Sequence, residues 1–399
     1  KLFFPLQIPA PNPKETKSSK SKMDNTDEQR MAEHSRRVFA HKFIAKLLLT
    51  PDPDGVAGSP LSAYLSLFSA FFGATLNSNT HKQIAELLSF PPDDEHQVVM
   101  AYRDLQSQLT TPNPNVQFTC AHALFCEHDE ISPSFIDFCG DNFNCKVHPL
   151  GDINTIHDWV AKNTNNKIKQ VLPKPPDGPA VVILADYFKG TWELPFTMAT
   201  KPASFWLTQD RSVTCQMMKV KGEFAYKSFP SCEVVMLKYD PDYNFVAYVL
   251  LPHRGTSSVE QVVKDFLTTS ESFDAMTSAM RFEDMMLSMP KFVIEKKLSI
   301  KTILHSFGMQ DAFHPNAAFG RMSIKGDDKA DIYINDIHTA TYLSVDKDGT
   351  EAASATATEY ATRGGRSNIK HMYCDSPFLF LVRHENTGTF INAARIDKP

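Results

Sequence analysis

Residues 346–366, DKDGTEAASATATEYATRGGR, constrain this chain more than any other stretch. An apolar, strand-like segment at 342–345 leads in, and an apolar PFLFLV run follows from Pro377. Between them lies a tract of Ala, Ser and Thr that turns basic and Gly-rich after Tyr360. Side chains this small fill a core poorly, yet they suit a strand that slips between two others. Side chains alternate along a strand. Thr350, Ala352, Ser354, Thr356, Thr358, Tyr360 and Thr362 therefore share one face, and all but Tyr360 are short. The opposite face carries Glu351 and Glu359, which suits solvent. The stretch reads as a segment with two states, an exposed loop and an added strand.

Gly349-Thr350-Glu351-Ala352-Ala353-Ser354-Ala355-Thr356 resembles the hinge of the serpins, the serine protease inhibitor family. Ser376-Pro377-Phe378-Leu379-Phe380 resembles the strand that follows the reactive loop in that family. Similar matches run from about residue 27 to the last residue. They include Ser59-Pro60-Leu61-Ser62 before a helix ending in Gly73-Ala74, the AVVILADYFKGTWELPF run at 180–196, and Ala317-Ala318-Phe319-Gly320-Arg321-Met322. The resemblance implies an α+β serpin fold with three β-sheets, about nine helices and an exposed reactive-centre loop. One domain would span 23–399, with hinge and loop at 346–376. Residues 14–22 are Lys/Ser-rich and read as disordered, and residues 1–22 read as a tail or a processing remnant.

Periodicity supplies the elements independently. Met31, Val38, Phe39, Phe43, Ile44 and Leu47 fall on one helical face, and Pro51, Pro53 and Gly55 stop that helix. Ser59 is placed to cap a second helix with Pro60 in its first turn. That helix is apolar nearly all round, so it belongs in the centre. The apolar run at 180–196 is too continuous for a one-sided sheet and predicts a strand covered on both faces. By resemblance, residues 154–168 form a helix across the front of the main sheet, anchored by Trp159 and Val160. Trp192 reads as a core aromatic on packing grounds. By resemblance it stands where the loop first enters the sheet.

Other classes of function find little support. A formal net charge of −5 makes no general case for nucleic acid or membrane binding. The LFFPLQIP run at the start is short and holds two prolines, so it makes a poor signal peptide and no membrane span. Seven cysteines without a CxxC pair suggest neither a disulfide framework nor a zinc site, although one bridge among Cys120, Cys126, Cys139 and Cys145 stays open. No GxSxG, HExxH, Walker or GxGxxG motif occurs, and the 14 histidines show no ligand spacing. The chain reads as no enzyme, with no metal and no cofactor. Its reactive part is a peptide bond offered to another protein's catalyst.

The resemblance implies suicide inhibition of a serine protease through a covalent complex, by a monomer. The basic loop residues Arg363, Arg366, Lys370 and His371 suit a trypsin-like target. Counting from Gly349 places the reactive bond at Arg363–Gly364, whereas counting back from Pro377 favours Arg366–Ser367. The helix expected at 95–109, led by Asp93, Asp94 and Glu95, lacks the cations that a heparin-type cofactor would need. The family implies an extracellular or cell-surface place, with the cytoplasm as the alternative. Sheet opening would involve Ser59, Ser62, Leu184, Trp192, Lys291, Thr339 and Lys347. Three of these positions depart from the family. Lys347 stands where Glu is usual, facing Lys291. Leu184 and Thr339 match the usual Asn and His beneath the central strands, which predicts an apolar or rewired gate.

Overall fold

The computed structural model describes residues 25–90, 95–109, 115–127, 131–239, 244–326, 332–350 and 369–399. The first half runs α1 (Asn25–Leu48), β1 (Val56–Gly58), α2 (Pro60–Gly73), α3 (Asn79–Leu88), α4 (Glu95–Leu109), β2 (Val116–Cys126), α5 (Pro133–Phe143), β3 (Lys146–Pro149), α6 (Ile153–Asn163) and β4 (Ala180–Thr191). Next come β5 (Met198–Trp206), β6 (Ser212–Ser228), β7 (Cys232–Lys238), β8 (Phe245–Pro252), α7 (Val259–Phe266), α8 (Ser270–Ser278), β9 (Arg281–Pro290) and β10 (Phe292–Ser299). The chain closes with α9 (Lys301–Ser306), β11 (Ile334–Val345), β12 (Gly349–Thr350), β13 (Lys370–Tyr373), β14 (Phe378–His384) and β15 (Thr389–Ile396).

A six-stranded sheet has the order β10-β11-β12-β4-β2-β3. The other strands form a nine-stranded array, β1-β15-β14-β8-β7-β6-β9-β13, with β5 also paired to β6. β6 is long enough to serve two sheets. Its first half pairs with β5 and its last four residues with β7, while β9 runs along the other edge. Two of the three expected sheets are thus joined through one strand.

The six-stranded sheet is covered on both faces. Val182, Leu184 and Phe188 of β4 join the main core with α2, whereas Val181, Ile183 and Ala185 pack with Ile156 and Val160 of α6. This is why the apolar run of β4 does not alternate. In α2, the Ser59 hydroxyl accepts the Ser62 N–H at 3.1 Å and Pro60 takes the first turn. Every residue from Pro60 to Gly73 is buried. Each large apolar side chain removed from water there contributes about 1.5–3 kcal/mol.

The front helix is shorter than the 154–168 that the resemblance implies. α6 ends at Asn163 because Asn165 and Asn166 take left-handed φ values of 49° and 58°, a conformation that Asn tolerates. The Thr164 hydroxyl closes the end, donating to the Val160 carbonyl at 2.8 Å. Of the two expected anchors, Val160 is buried, whereas Trp159 is half-buried and edge-on to Phe125 at 6.1 Å. Ile156 is the second buried anchor.

Candidate functional site at the mouth of the six-stranded sheet

β4 and β11 run parallel and pair directly from Ile334↔Ala180 to Tyr342↔Tyr187. Beyond that point they part, and β12 lies between them. Thr350 pairs antiparallel with Gly190 of β4 and with Val345 of β11, and Gly349 pairs with Thr191. The reversal into β12 is built on Asp346. Its Oδ1 accepts the N–H groups of Asp348 (2.9 Å) and Gly349 (3.3 Å), and its own N–H donates to the Gly349 carbonyl at 2.8 Å. Gly349 is required by close approach, since a Cβ there would overlap the Gly190 carbonyl. Gly190 is required in turn, since a Cβ there would overlap the Tyr239 ring.

Trp192 and Tyr239 hold the turn. Their rings stack with centroids 4.5 Å apart. Trp192 Nε1–H donates to the Asp346 carbonyl at 3.1 Å, and its backbone N–H to the Asp348 carbonyl at 3.0 Å. The Phe196 N–H donates to the Lys347 carbonyl at 2.8 Å. Tyr239 Oη and Thr350 Oγ1 are 2.6 Å apart, with both side chains buried. Burial pushes the Tyr239 phenol far above its usual range, so it is a neutral hydroxyl in this bond. Trp192 therefore serves both as a core aromatic and as a clamp on the hinge.

Two rows of side chains lie beneath the seam, facing α2. The row of Leu184 and Thr339 is in register as expected. Leu184 packs in the apolar core, and the buried Thr339 Oγ1 has no hydrogen-bond partner among the described residues. The polar contact sits one row further on. Cys120, Asp186 and Thr341 stand abreast on β2, β4 and β11. The Ser62 hydroxyl of α2 donates to Asp186 Oδ1 and lies 2.8 Å from Cys120 Sγ, while the Thr341 hydroxyl donates to Asp186 Oδ2 at 3.4 Å. Of the two expectations for this level, apolar or rewired, Leu184 is apolar, and the polar contacts under the seam centre on Asp186. The signal available in the sequence was one acidic residue inside an apolar run.

Ser59 is the helix cap, and the Ser62 hydroxyl is the donor to Asp186. Lys347 lies with Nζ 3.6 Å from Asp348, so its charge is answered by its own neighbour. Lys291 donates its N–H to the Gln216 carbonyl and precedes Phe292, which pairs with Val345. At the head of α4, Glu95 is ion-paired with Arg321. The seven cysteines are free thiols, so the bridge left open among Cys120, Cys126, Cys139 and Cys145 does not form. Glu351, Ala352, Ala353, Ser354 and Ala355 of the hinge, with both candidate bonds, Arg363–Gly364 and Arg366–Ser367, lie outside the described residues.

A family profile described as "Serpin (serine protease inhibitor)" matches residues 34–399. The chain belongs to the serpin family. This serpin is 30% identical over 378 residues to the plasma serine protease inhibitor of Bos taurus, covering 91% of this chain and 90% of that relative. It is 28% identical to Serpin B6 of Macaca fascicularis, covering 90% and 97%. Among solved structures, human thyroxine-binding globulin superimposes with a TM-score of 0.82 at 20% identity, covering 93% of this serpin and 99% of the globulin. Serpin48 of Tenebrio molitor gives a TM-score of 0.77 at 20% identity, covering 94% and 99%. At that identity the structural likeness establishes the serpin fold.

Proposed function

We propose that this serpin is a suicide inhibitor of trypsin-like serine proteases, cleaved after Arg363. The observation that carries the reading is β12. A strand that turns straight back from the end of β11 runs antiparallel to β11 and so also to its parallel neighbour β4, and Gly349 and Thr350 already do so. The residues that follow, from Ala352 to Ala355, are small enough to continue into a closing sheet without overpacking. In the proposed reaction, the protease serine attacks the Arg363 carbonyl, the bond to the Gly364 nitrogen breaks, and an acyl-enzyme ester forms. The cut loop then enters the sheet and carries the protease with it before water can hydrolyse the ester. Arg363 would pair with a carboxylate in the target's specificity pocket. Insertion of about a dozen residues, at on the order of 1 kcal/mol net per hydrogen bond, would release roughly 10 kcal/mol.

A second reading is a non-inhibitory or substrate-like serpin. The fold shared with thyroxine-binding globulin suits a carrier, and the altered gate at Asp186 suits a loop that is cut without trapping. The uniformly small hinge favours inhibition. For the place of action we propose the extracellular side, in line with the plasma inhibitor relative. The seven free thiols favour the cytoplasmic alternative.

Mixing the protein with trypsin, running a denaturing gel and sequencing the released C-terminal peptide tests the proposal. A band of summed mass with a new N-terminus at Gly364 is expected. A new N-terminus at Ser367 would move the bond to Arg366. Cleavage without a covalent band would establish the substrate reading.

A further inference from the structure

Asp186 lies fully buried under the seam where β4 and β11 part, and no ion pair reaches it among the described residues. Its Oδ1 is bonded to Ser62 of α2, and its Oδ2 to Thr341 directly across the seam on β11. One carboxyl group thus ties together both strands of the seam and the helix beneath. A strand cannot enter at this level while all three contacts persist. We propose that Asp186 is a proton-operated latch on sheet opening: its neutral carboxyl holds β4, β11 and α2 together, and its ionised form lets the seam part. The proposal rests on the reading that the loop enters between β4 and β11.

The physical basis is the cost of an unpaired charge. A carboxylate buried without a cation is strongly disfavoured. Burial accordingly pushes Asp186 up to about 7, against the two hydroxyl donors, which pull it down. A protonated carboxyl also gains an O–H to donate within the cluster. Once the seam parts, the group meets water and returns toward the ordinary range near 4. The closed sheet therefore binds more protons than the open one. Closure is fully favoured below that ordinary range and loses its advantage as pH rises to about 7, above which the profile is flat.

The surroundings leave Asp186 as the group that changes charge in this window. Cys120 faces it from β2, and Tyr102 of α4 lies near that thiol; burial pushes both well above their usual ranges. α2 contributes Ser62 and no charged residue, and β11 contributes Thr341. His122, one row lower on β2, is pushed down to about 4 by burial and stays neutral above pH 5.

The test uses the full chain and a labelled synthetic peptide copying residues 349–362, with uptake followed on native gels from pH 5 to 8. The uptake rate should rise on the order of tenfold between pH 5 and 7 and then level off. Asp186→Asn keeps the shape and is neutral throughout, so its uptake should be slow and flat with pH. Thr341→Val removes a donor to the carboxylate, so its midpoint should move to higher pH. Identical profiles for wild type and Asp186→Asn, or an unmoved midpoint in Thr341→Val, would overturn the latch alone. No uptake by any of the three proteins at any pH would overturn strand entry and the latch together.

Discussion

Tyr239 shows how one side chain can hold a hinge. Its ring lies over Gly190, stacks on Trp192, and its hydroxyl meets Thr350 Oγ1 at 2.6 Å. Tyr239→Phe keeps the stack and leaves the Thr350 hydroxyl buried without that partner. Such a loss costs about 1–3 kcal/mol, so the Thr350 amide should exchange with deuterium on the order of tenfold faster or more. Unchanged exchange would mean that the backbone pairing alone holds β12. At this scale the sequence was only partly legible. Trp192 was identifiable, but Tyr239 gave no signal, because its role depends on a contact 111 residues away. Sequence reasoning singled out the row of Leu184 and Thr339, whereas the hydrogen bonds under the seam lie one row on, at Asp186. A displacement of two residues along a strand preserves the face, so Leu184 and Asp186 look alike to any argument from alternation. Burial and the contact with Ser62 are what single out Asp186.

Among the elements, β12 is the smallest and the most consequential. Two residues sit between β4 and β11, with Thr350 buried beneath Tyr239. A long charged side chain at Thr350 has no room there and would have to carry an unpaired charge into the core. Thr350→Arg should therefore keep cleavage by trypsin while the covalent band falls by tenfold or more relative to cut product. A covalent band at the wild-type level would show that the hinge does not pass through this slot. The continuous apolar run of β4 announced a sheet covered twice, whereas the small-residue tract beyond Thr350 lies outside the described residues. Element ends were less legible. α6 stops at Asn163 because two asparagines adopt left-handed backbone and Thr164 caps the turn, whereas the resemblance carried the helix on to Ile168.

For the whole molecule, the proposed entry of the loop between β4 and β11 predicts stored free energy. The sheet is closed and hydrogen-bonded along the seam, yet its mouth already holds the first two residues of a strand that would complete it. If the loop enters after cleavage, the cut protein is the more stable form and the intact protein is held back by a barrier. An unfolding entropy of about 2.1 cal/mol/K per residue means that a chain of this size gains roughly 1 °C per kcal/mol. The roughly 10 kcal/mol released on insertion therefore predicts a rise of about 10 °C or more in the thermal midpoint after the loop is cut, read by calorimetry at one fixed scan rate. The same cut in Thr350→Arg should give little or no rise, because the slot at Thr350 that the inserting strand must pass is blocked. An equal midpoint for cut and intact wild type would mean that the loop stays outside the sheet, and the carrier or substrate reading would then take precedence over the inhibitor.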